Sequence, residues 1–306
     1  FSSAQVAGLR ADQIAGMETA DLVALGTAQI RALSATQLAA MDANQLGALT
    51  SDQLRALTVN QVRALTVDEM TGLSSADLGA FTSAQLQALS TVQLEGLTAE
   101  QLVGLSSAQI AGLSVTQITS LDPAKLAALG TTQFSGLTAT QVGALSTAQA
   151  AALEGADVAV LGTAQIRSLS TGAMAAFSVD QIGALTSAQA AALTTAQLAA
   201  ISVDDMSGLT TSALAALSSV QLQGFSSAQL AALSAEQLAQ MGTGQVAALA
   251  TTQLATMTPE QLNNLSTAQF AHLSAAQVAS LTTEQMANLA GDHLAALTTA
   301  QIVALR

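Results

Sequence analysis

The chain has 306 residues, half of them apolar but only 2% aromatic, and it has no cysteine, which excludes disulfides and thiolate metal sites. Its net charge is −13, and its seven basic residues form no stripe for nucleic acid, so no nucleic-acid partner is expected. Mean hydropathy is positive, yet polar residues recur too often for an apolar run of roughly eighteen, and no membrane span is expected.

Read in steps of eight from Phe1, the sequence is one octapeptide written thirty-eight times, with Leu305-Arg306 left over and no insertion or deletion. Leu193 to Ala200, LTTAQLAA, is representative. Positions 1 and 6 are always apolar. Position 2 is Ser, Thr or Asp in twenty-nine octads, position 5 is Gln in twenty-nine, and position 8 is Ala or Gly in twenty-nine.

Ser/Thr-x-x-Gln is a capping box, in which the hydroxyl accepts from the N3 amide and the N3 side chain reaches back to the cap amide. With the cap at position 2, N3 falls on the Gln, and the apolar positions 1 and 6 become the hydrophobic staple. Pro123 and Pro259 then stand at the first helical position, where proline is tolerated. Each octad is therefore expected to open a new helix. A single long helix would rotate its leucines by about 80° per octad and bury no constant face. In a strand, positions 1 and 6 would point to opposite faces.

A helix of about one and a half turns is unstable alone in water. The octads must therefore stack, which predicts an all-α solenoid of very short capped helices, one per repeat, running as a single body over residues 1–306.

In chain order, Ser2 and Gln5 form the first expected box. Arg10, Glu18 and Gly26 vary the cap early on. Gly8, Gly16, Gly72 and Gly96 at position 8, like Asn264 and Asn288, suit a helix C-terminus. Lys125 replaces the capping Gln behind Pro123, and Glu154-Gly155 replaces one cap region. Ala150 and Ala190, the smallest occupants of position 6, mark possible thin places in the core. Thr194 with Gln197, and Ser266 with Gln269, are further expected boxes. Between Leu233 and Asn288, position 8 turns polar at Gln240, Thr256, Asn264, His272, Ser280 and Asn288. These residues share one register and are expected to be solvent-exposed, with a contact or ligand-facing row as the sharper reading.

Nineteen of the twenty acids lie at positions 2, 4 or 5, where negative charge favours the helix N-terminus, and Arg31, Arg55, Arg63 and Arg167 share position 7 near its C-terminus. Asp68-Glu69 and Asp204-Asp205 are paired acids in first turns, and dipole placement accounts for them without a carboxylate site. The two histidines, His272 and His293, are 21 residues apart with no cysteine. His293 reads as a replacement for the capping Gln. No nucleophile–base–orienter set, phosphate loop or calcium nonapeptide occurs, so no catalytic, cofactor-binding or metal residue is expected. Asn264-Leu265-Ser266 matches a glycosylation sequon.

The octads LTTAQLAA, LSTAQFAH and LTTAQIVA resemble the LTxxQ(I/L/V)xA tandem repeats of large secreted or surface proteins of Gram-negative bacteria, some of them adhesin-like. The resemblance implies an extracellular or cell-surface location. MTPEQL, Met257 to Leu262, is similar to the opening of a TAL-effector repeat, but that family's longer period and base-reading pair are absent. The expected function is structural: an extracellular fibre, sheath or adhesin stalk built by self-association, as part of a longer chain or an assembly. The alternatives are a solenoid binding a protein or glycan partner, and an ice-binding hydroxyl surface.

Overall fold

The computed structural model describes residues Phe1 to Leu305. Among them are thirty-seven short α-helices, one 3-10 helix and no strand. The helices keep the octad frame throughout. Thr194 is the N-cap of helix Thr195–Ala200, its hydroxyl accepting from the Gln197 amide at 3.1 Å while the Gln197 Oε1 accepts from the Thr194 amide at 2.9 Å. Ser2 with Gln5, and Ser266 with Gln269, close the same reciprocal pair. Pro123 and Pro259 open their helices. Losing one hydroxyl cap costs about 1 kcal/mol, so Thr194→Ala is expected to lower stability by about that much, read from a urea titration.

Between helices, two residues run extended. In helix Ser51–Ala56 the exit residue Leu57 has φ −55° and ψ 136°, and the next cap, Thr58, has φ −74° and ψ 157°. Among the described residues none, glycine included, has a positive φ. The position-8 glycines therefore do not supply a left-handed C-cap; a Cβ on Gly8 or Gly16 would meet only its own helix, at 3.5 and 3.4 Å, and from Gly72 onward their role is close packing. A Cβ on Gly72 would lie 1.7 Å from the Ala43 carbonyl oxygen, and one on Gly104 would lie 2.0 Å from that of Ser75. Both partners are backbone, 29 residues earlier in the chain.

The chain folds as two compact units, Phe1–Leu145 and Ser146–Arg306. Within each, helices pack on those three octads away: Thr27–Ala32 on Ser51–Ala56 in the first, Thr163–Ser168 on Ser187–Ala192 in the second. The octad register itself runs through the boundary without a break. Positions 1 and 6 fill the interior of each coil, with Leu198 fully buried and Leu193 nearly so. Ala150 and Ala190 are fully buried as well.

One octad departs from the α-helical pattern. Asp204–Gly208 is 3-10, and Asp205 stands where Gln would be. The aspartate bonds the Ser202 hydroxyl, and Ser202 Oγ accepts from the Asp205 amide at 3.1 Å. Asp77 and Asp157 at the same octad position accept from their cap amides within α-helices, so the shorter side chain does not by itself account for the 3-10 turn.

Candidate functional site

The recurring polar feature of the interior is the position-5 glutamine. Capping occupies its Oε1 and leaves both Nε2 protons free. In Gln197, which is 1% exposed, Nε2 donates to the carbonyls of Ile166 at 2.9 Å and Leu169 at 2.8 Å. Those residues lie 31 and 28 positions earlier. Gln53 repeats the arrangement on Leu22 and Leu25, and Gln269 on Leu238 and Met241. The carbonyl 28 positions back belongs to the extended exit residue, which has left its helix and needs a donor inside an apolar interior. One side chain thus starts its own helix and ties that helix to the previous turn. The glutamine thus ties its helix to the chain 28 and 31 residues earlier, alongside the stacking of helices three octads apart. Gln5, in the first octad, makes the cap alone.

A second set of links runs forward. Gln87, Gln223 and Asn263 at position 7 donate to the backbone carbonyls of Gly112, Ala248 and Asn288, each 25 residues on. These bonds satisfy helix C-terminal carbonyls that have no partner within their own helix.

The departures from Gln show which half of its role each substitute keeps. His293 does not cap: Ala290 has no side-chain bond to the helix. Instead His293 is buried, its Nε2 lies 2.7 Å from the Leu265 carbonyl 28 residues back, and its ring meets Phe270 edge-on at 5.1 Å. It replaces the tie between turns and gives up the cap. Its Nδ1 is buried without a hydrogen-bond partner. Glu69 makes the opposite exchange. It keeps the cap with Thr66, but its other oxygen is buried without a partner, because a carboxylate carries no N–H to offer the preceding turn.

Asp157 is buried and accepts from the Glu154 amide at 3.1 Å. Burial, reinforced by the nearby Glu154 charge, pushes its carboxyl up to about 6. A carboxyl raised in the folded state stabilises the fold fully below its unfolded value, and that stability is lost as pH rises through about 6. Asp12, held low chiefly by its hydrogen bond from Arg10, and Asp122, held low chiefly by the Lys125 backbone amide, stay ionised into more acidic solution and lose stabilisation only there. Raising the pH from 5 to 7 is therefore expected to cost about 1–2 kcal/mol after solvent screening. Asp157→Gln should remove that loss, as thermal melts at the two pH values would show.

The six polar residues at position 8 do not form one row. Stacked helices are three octads apart, so residues eight apart lie on helices that are not stacked partners. Thr256 with Ser280, and Asn264 with Asn288, sit at the ends of helices that pack together. Most turn back on their own helix: Thr256 to the Gln253 carbonyl, His272 to Ala268, Ser280 to Gln277 and Asn288 to Glu284. Gln240 is exposed. Asn264 and Asn288 line an open groove together with Asn263, Glu260 and Glu284. In the sequon, Leu265 is buried and Ser266 Oγ is engaged as a cap.

Among the described residues, no three His, Cys, Asp or Glu gather as metal ligands, and no helix is long and apolar enough to cross a membrane. Asp68-Glu69 and Asp204-Asp205 remain first-turn residues of their helices.

A family model for the ALTTAQ repeat matches the chain seven times, at residues 14–51, 44–75, 70–107, 118–155, 150–187, 198–235 and 257–290. The chain belongs to the ALTTAQ repeat family. The final letter of that name falls on the glutamine that caps and clamps, and the leucine on the exit residue whose carbonyl a later glutamine holds. A comparison with curated proteins gives no match. The inter-turn role of the ALTTAQ glutamine leaves no trace in sequence beyond its regular recurrence, since capping alone accounts for it at that spacing. Only its retention in seven of the eleven octads that lack a hydroxyl at position 2, among them those with Gly26 and Gly242, hints at a second task.

Proposed function

We propose that this ALTTAQ array is a structural element that self-associates into an extracellular fibre, sheath or adhesin stalk, its function residing in its repeated geometry. The observation that carries this reading is the glutamine clamp. Each turn is completed by donors from the next, and donor and acceptor come from residues present in nearly every octad, so one turn fits another wherever it lies in the array. The acidic, cysteine-free composition suits an extracellular setting. Negative-stain electron microscopy and light scattering of the purified chain test the proposal. Filaments or ordered lateral assemblies support it; discrete monomers at all concentrations count against it.

The groove containing Asn264 and Asn288 favours a second reading, a solenoid that holds a protein or glycan partner. Asn264→Ala with Asn288→Ala would then abolish partner binding without changing circular dichroism. An ice-binding hydroxyl array is disfavoured, because the position-2 hydroxyls are engaged in caps.

A further inference from the structure

A coil of near-identical octads has a difficulty that its glutamine clamp does not resolve. If one octad loops out, the flanking chain still presents Gln at position 5 to carbonyls at positions 6 and 1. The consensus bonds then re-form around the defect, and nothing in them counts how many octads lie between two turns. Register must come from residues that differ from the consensus and recognise one another across turns.

One such pair stands out. Lys125 is the only lysine in the chain, and Glu95 is the only acid outside positions 2, 4 and 5. They meet across 30 residues. The Lys125 ammonium bonds the Glu95 backbone carbonyl, as the replaced glutamine would bond the preceding turn, and adds the Glu95 carboxylate at 3.2 Å. The other Glu95 oxygen accepts from the Asp122 amide at 3.3 Å, and the Asp122 carboxylate lies 3.5 Å from the ammonium. The lysine side chain is only 22% exposed. With one octad looped out between them, Lys125 would face Gln87, eight residues before Glu95. It could still reach a carbonyl there but would lose its carboxylate.

We propose that Glu95 and Lys125 form a register pin, which makes the number of octads between their two turns unique. The pin acts on specificity of winding more than on stability, a use for which paired charges are best attested.

The absence of native cysteine allows a direct test. Position 8 touches the position-3 residue 29 earlier, as a Cβ on Gly112 would lie 3.3 Å from that of Ser83. Thr91 and Ser120 hold this register and line one groove, so Thr91→Cys with Ser120→Cys reports the native register on oxidation. Ser83→Cys with Ser120→Cys is one octad longer and cross-links when an octad is looped out. Both pairs are placed in the native background and in Lys125→Gln and Glu95→Gln. Lys125→Gln restores the consensus side chain; Glu95→Gln keeps the lysine bond to the carbonyl and removes only the charge partner. The pin predicts that each variant retains the native-register cross-link while the slipped cross-link rises roughly fivefold or more, the worth of one charge pair. Equal slipped yields in all three backgrounds would overturn it. So would loss of the native-register cross-link in both variants, which would make the pair a support for the fold and not for its register.

Discussion

Replacing Gln197 by Leu is expected to destabilise the chain by about 2–4 kcal/mol, although the new side chain matches the core in size and polarity. Four backbone groups bond that amide: the Thr194 N–H and the carbonyls of Ile166, Arg167 and Leu169, the Arg167 bond being the longest at 3.3 Å. Ile166 keeps a bond from the Leu169 amide, so the losses fall mainly on the Leu169 carbonyl and the Thr194 N–H. A buried group left without its partner costs about 1–3 kcal/mol, more than the bond itself contributes. Gln197→Glu separates the two halves, because it keeps an acceptor for Thr194 and has no donor for the previous turn while ionised. Urea titrations should rank Leu below Glu and Glu below the native residue. A loss under about 1 kcal/mol for Leu would reduce the glutamine to a cap.

The second large effect is expected at Gly72, where Gly72→Val should cost about 3 kcal/mol, at the upper end of what overpacking usually costs. The atom such a side chain meets is the Ala43 carbonyl oxygen, part of the backbone of a neighbouring turn and unable to rotate aside. Gly244→Ala is the contrast, since a Cβ there has nothing within 4 Å. It should raise stability by about 0.5–1 kcal/mol through helix propensity alone. If the two substitutions had similar effects, the glycines at position 8 would not be spacing the turns.

The local structure was legible from the octapeptide because capping is a local interaction. Ser or Thr, Gln, the two apolar positions and the two prolines all point to one helix start. The winding was not legible, because the bonds that set it join residues 28 and 31 apart, and every octad offers the same donors and acceptors. The same equivalence made the polar residues from Gln240 to Asn288 look like a row, when stacking at three octads distributes them over different stacks. The position-8 glycines read as suited to helix ends, which they are, but the sequence did not show that from Gly72 onward the missing Cβ serves contact between turns. His293 read as a replacement for the capping Gln, but it does not cap, and its partner, the Leu265 carbonyl, lies outside any local pattern.

The clamp is tested most directly by hydrogen exchange at the glutamine side-chain amides, followed by nitrogen-15 NMR on the intact chain. The Nε2 protons of Gln53, Gln197 and Gln269 should exchange as slowly as neighbouring helix amides, and those of Gln5, which makes only its cap bonds among the described residues, should exchange freely. Free exchange at Gln53, Gln197 and Gln269 would mean that these side chains do not bridge turns, and the coil described above would lose the bonds that wind it.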